Sequence, residues 1–169
     1  MNKASNIAKG GLFTALTIIF LYISSIGPTS RLTFMALAAS MIPISIITTN
    51  MRNSFVVYAA ASLLSLLLSL RGTAFLYIVF FGLYGFVKYY IERLRKVALE
   101  IVLKLLFFNS SLYLIYLIYL VFTFDIPKLN IPLYYIIAGL QVVFIIYDYA
   151  MTIIISYTNN RLKGSGIRK

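Results

Sequence analysis

The residues able to do covalent or proton-transfer chemistry are few. The acids are Glu92, Glu100, Asp125 and Asp148, and the chain has no histidine and no cysteine. Without them there is no paired nucleophile and base, no carboxylate cluster for two metals and no glycine-rich phosphate loop. Disulfides, thiolate chemistry, haem attachment through cysteine and the usual zinc sites are excluded as well. The chain is therefore expected to be no enzyme and to need no metal or cofactor. What remains is the chemistry of pairing charges and binding neutral or charged solutes.

Two patterns carry that chemistry. Asp148 lies inside an apolar run, where an ionisable group needs a partner. It is about 22 Å along its helix from Leu133, at about 1.5 Å per residue. That depth favours an ion pair with Arg52, Lys88 or another cation at the basic end over ligand binding. The second pattern is Lys88, Glu92, Lys96, Glu100 and Lys104, alternating in sign at four-residue spacing. On one continuous helix these would share a face, each pair contributing about 0.2–0.5 kcal/mol. With Leu94, Val97, Ala98, Ile101 and Val102 between them, the stretch is expected to be amphipathic and to lie at the membrane surface or against a partner.

The elements that must position these groups are long apolar runs at 11–27, 32–49, 54–70, 74–91, 105–124 and 133–157. A membrane span takes about 17–25 such residues. The hydrophobic fraction is 62% and charged residues are 11%, against roughly 25% charged in a soluble domain. The fold class predicted is all-α, a single polytopic domain of six spans over 1–169. The first run could be a signal peptide, but no A-x-A-like cleavage site follows, so a retained helix is expected. With an inside N terminus, Arg31, Arg71 and Lys128 fall outside and the other twelve of the 15 basic residues fall inside. That bias places both termini and the 88–104 connection in the cytoplasm. The net charge of +11 then reflects topology and attraction to anionic lipid headgroups rather than nucleic acid.

Within the spans, polar side chains form stripes: Tyr58, Ser62, Ser65 and Ser69 on helix 3; Asn109, Tyr113 and Tyr116 on helix 5; Tyr134, Gln141, Asp148 and Thr152 on helix 6. Such groups are expected to face the bundle interior or a ligand. Small residues Ala4, Ala8, Gly11 and Ala15 share one face of helix 1, a seam that admits a close neighbour either within the bundle or on a partner. Fourteen tyrosines and thirteen phenylalanines could stack on a ring-bearing solute, though an interfacial belt accounts for most of them.

Chain length, six spans with both ends inside, the helix 1 seam and the lack of an ATPase domain resemble the membrane-embedded substrate-binding subunits, or S components, of energy-coupling factor transporters. In that family an A-x-x-x-A-type motif on helix 1 contacts the transmembrane coupling subunit, which joins it to an ATPase pair. Ala4-x-x-x-Ala8 and Gly11-x-x-x-Ala15 are the matching positions. The resemblance implies a vitamin-like micronutrient held toward the outer face, under the first loop and between helices 4 to 6. Arg31, Arg71, Tyr77, Tyr116, Tyr119 and Gln141 occupy the corresponding zones. A non-transporting scaffold of a cell-envelope complex, or an autonomous small-solute carrier, are the alternatives. A carrier would need broken helices, and Pro43 is the strong interruption within a span.

Overall fold

In hydrocarbon a segment satisfies its own backbone only as a helix, and each apolar run adopts one over its described residues. The computed structural model describes residues 3–27, 30–94, 96–121 and 133–164. Its helices are α1 (Lys3–Ile26), α2 (Arg31–Thr48) and α3 (Met51–Leu67), then a rod α4 built from Arg71–Leu76, a π-helical turn Tyr77–Phe81 and Gly82–Ile91. A 3-10 turn, Glu92–Leu94, leads to α5 (Val97–Val121) and, after the connection, α6 (Leu133–Gly164). Over the described residues the protein is all-α, and five of its six helices there are long and apolar enough to cross a bilayer, while α3 is shorter at 17 residues. By helix length and hydropathy it is a multi-pass membrane protein.

The centre of the bundle is α2, which packs against α1, α3, α4 and α6. Its buried face carries Ala38, Ala39, Ser40 and Ser45, and small side chains let neighbouring backbones come close where no hydrophobic exclusion drives helices together. Pro43 removes one N–H from the ladder, yet α2 runs unbroken from Arg31 to Thr48; the expected interruption does not end the helix. The Pro43 ring and Ile42 lie against Gly85 of α4, where an added Cβ would come within 3.0 Å of Pro43.

Three devices set the course of α3 and α4. Asn50 caps α3, its side-chain oxygen accepting from the Asn53 N–H at 2.9 Å. At the other end Ser69 takes a left-handed φ of 55°, and the Leu70 N–H reaches back to the Ser65 carbonyl at 3.1 Å. That is the Schellman form of helix termination, here without its usual glycine. In α4 the Gly82 N–H bonds the Tyr77 carbonyl rather than that of Ile78. The Ile78 carbonyl instead accepts the Tyr58 hydroxyl of α3 at 2.8 Å, so the widened turn becomes a tie between two helices.

The interior joining α4, α5 and α6 is aromatic. Phe80 and Tyr84 of α4 meet Phe108 of α5 and Phe144 and Tyr147 of α6. Phe108 and Phe144 stack at 4.5 Å, nearly parallel. Directly beyond this layer sit the charges.

Candidate functional site

Lys88, near the end of α4, is fully buried. Its ammonium contacts Asp148 Oδ1 of α6 and lies 2.8 Å from Glu92 Oε1 and 2.7 Å from Thr152 Oγ1. Lys104 of α5 donates to Asp148 Oδ2 at 2.8 Å and reaches Glu92 Oε1 at 3.4 Å. The Tyr84 hydroxyl donates to Asp148 Oδ1 at 2.6 Å. One carboxylate thus gathers two ammonium groups and a phenol from two other helices. Two cations face two anions, so the cluster is neutral as a whole, the condition under which charge survives in a medium that penalises an unpaired ion.

The expected pairing of Asp148 with Lys88 is therefore present. The expected ladder is not, because the chain does not continue as one helix. α4 ends at Ile91, the 3-10 turn reverses the chain, and α5 starts anew at Val97. Lys88 and Glu92 remain one helical turn apart, whereas Lys104 folds back onto them from two turns inside α5. Lys96 is exposed and Glu100 half-exposed, with no ion pair to Lys104 among the described residues. Lys104 and Tyr84 as partners of Asp148 were the residues missed. Tyr84 had a readable signal, being four residues before Lys88 and hence on its face.

On the opposite side, a surface groove of about 730 Å³ runs between α1 and α3, floored by Gly10, Gly11 and Ala15 and walled by Thr14, Val56 and Ala60. Ala4, Ala8, Gly11 and Ala15 are all exposed, and a Cβ added at Gly11 would meet nothing within 4 Å. The seam faces out of the bundle. Inward packing on α1 falls instead to Gly10, Thr17, Leu21 and Ser24, and Gly10 lies against Asn53, which donates to the Asn6 carbonyl at 3.0 Å.

The residues assigned to a solute pocket are placed as follows. Arg31 donates to Thr73 Oγ1 at 3.3 Å, which ties the start of α2 to the start of α4, one turn from Tyr77. Tyr77 is fully buried and its hydroxyl has no hydrogen-bond partner. Gln141 is partly buried on α6, and Tyr116 is exposed on α5. The side chains of Arg71, Tyr119 and Tyr134, the loop from Asp125 to Lys128 and the tail from Ser165 lie outside the described residues. Arg31, Thr73 and Tyr77 thus share one end of α4, while Arg31, Tyr77, Tyr116 and Gln141 do not line the α1–α3 groove. The α5 stripe differs from its expected inward course: Asn109, Tyr113 and Tyr116 are exposed. Asn109 answers its need for a partner by donating to the Leu105 carbonyl of its own helix at 2.8 Å. Besides Tyr77, Ser62 and Tyr147 hold buried hydroxyls without a partner, and Tyr77 and Tyr147 belong to one apolar cluster.

Comparison with protein-family models, curated proteins and solved structures finds no match to this chain. What the geometry identifies is a multi-pass helical membrane protein with a self-neutralised charge cluster on one side and an open small-residue groove on the other.

Proposed function

We propose that this protein is the membrane-embedded substrate-capturing subunit of an uptake transporter of the energy-coupling factor type. It would hold a vitamin-like micronutrient and draw energy from an ATPase pair through a transmembrane coupling subunit. The observation that carries this reading is the outward direction of Ala4, Ala8, Gly11 and Ala15. A row of small residues turned away from its own bundle offers another helix close backbone approach, which is how helices associate in lipid. Solute capture draws support from the buried, unpaired hydroxyls of Ser62, Tyr77 and Tyr147, since such groups carry an unmet demand for a hydrogen bond that a polar solute can supply.

The test is purification in mild detergent from cells that carry the partner subunits. An ATPase pair and a coupling subunit should accompany the wild-type protein, and native mass spectra should show a bound small molecule. Gly11→Leu should lower recovery of the partners while the small molecule stays bound. A non-transporting scaffold is the second reading, favoured by the fully compensated cluster at Asp148, which locks three helices together. Partners recovered with no small molecule in any preparation would select the scaffold; neither recovered would reject both.

A further inference from the structure

A second groove, of about 480 Å³, opens between α3 and α4 and is separate from both features above. Its walls are Phe55 of α3 and Leu83, Phe86 and Val87 of α4, with Arg52 and Tyr90 at one end. The helices are antiparallel there, so the first turn of α3 and the last turn of α4 meet at the same end of the bundle. The slot therefore has a charged mouth and an apolar depth. Arg52 is exposed and has no hydrogen-bond or ion-pair partner among the described residues. Two acids are already committed elsewhere: Glu92 is taken by Lys88 and Lys104, and Asp148 by the same two lysines. The Tyr90 ring meets Tyr89 edge to face at 5.8 Å, and the Arg93 guanidinium lies 5.7 Å from the Tyr89 ring centre.

We propose that this groove binds one anionic phospholipid, its phosphate at Arg52 and one acyl chain along Phe55, Leu83 and Val87. The chemistry of the two parts matches that of such a lipid. An apolar trough between helices takes a hydrocarbon chain, and a basic group at the interface end takes the headgroup. A planar guanidinium bonds phosphate oxygens in pairs. A zwitterionic lipid would fill the trough equally well but would bring its own cation to Arg52, so the net headgroup charge is the discriminating feature.

The experiment is native mass spectrometry of the full chain, delipidated in detergent and titrated with phosphatidylglycerol or phosphatidylcholine of identical acyl chains. Phosphatidylglycerol should bind about fivefold more tightly, the effect of one basic side chain near a headgroup. Arg52→Gln should abolish that preference and Arg52→Lys should keep most of it. Leu83→Trp, which fills the trough, should reduce binding of both lipids severalfold whatever the state of Arg52. Equal binding of the two lipids by the wild-type protein would overturn the proposal, as would a preference that survives Arg52→Gln. Glycerol phosphate competing as well as intact phosphatidylglycerol would show a phosphate site with no acyl slot, and would overturn it too.

Discussion

Gly10 and Gly11 are adjacent in α1 and meet opposite surroundings. A Cβ at Gly10 would come within 3.0 Å of the Asn53 amide, while one at Gly11 would meet nothing. Gly11→Leu should therefore leave stability in detergent within about 0.5 kcal/mol of wild type, as read by thermal unfolding. A large loss would mean that the seam packs within the bundle. Gly82 is the tight case: its added Cβ would sit 2.6 Å from the Tyr58 ring, and Tyr58 is the side chain that bonds the freed Ile78 carbonyl. Gly82→Ala should destabilise the protein by about 1–3 kcal/mol, the usual cost of overpacking, in the same measurement. The three glycines look alike in sequence, because only the distance to a neighbouring helix separates them.

At the scale of elements, the turn between α4 and α5 decides how the charges pair. Lys104 leaves the surface ladder because the 3-10 turn carries it back to Asp148 and Glu92. Ion pairs along an exposed helix contribute only tenths of a kcal/mol, whereas a buried ion left without a partner costs several. Asp148→Asn removes the charge that two ammonium groups share and should lower stability by roughly 3 kcal/mol. The double change of Asp148→Asn with Lys88→Met should cost less than the sum of the two single changes, because the pair acts as a unit. Glu100→Gln, in contrast, should change stability by less than about 0.5 kcal/mol. A comparable loss from Glu100→Gln and Asp148→Asn in denaturation experiments would restore the surface ladder.

For the whole molecule, the directional consequence is topology. The basic residues gather at the ends expected to be cytoplasmic, and Lys3 and Lys96 are both exposed. Cysteines introduced at either position should resist an impermeant thiol reagent in intact cells and react once the membrane is opened. Labelling of intact cells at either position would invert or break the proposed arrangement. The same experiment bears on the α3–α4 groove, since it assigns the leaflet onto which Arg52 opens.

Helix class, the approximate course of the apolar runs and the need of Asp148 for a basic partner were legible from residue order alone. They follow from local rules: hydrocarbon forces backbone self-satisfaction, and an ion inside it demands a counter-charge. The direction each helix face takes was not legible. Ala4, Ala8, Gly11 and Ala15 form a stripe whether they point inward or outward, and Tyr77 and Tyr116 are both tyrosines within apolar runs. Yet Tyr77 is fully buried and Tyr116 is 53% exposed. In water the polar face of a helix announces its outside. In lipid both faces are apolar, so which one is buried depends on how the helices pack around α2, a property of the tertiary structure.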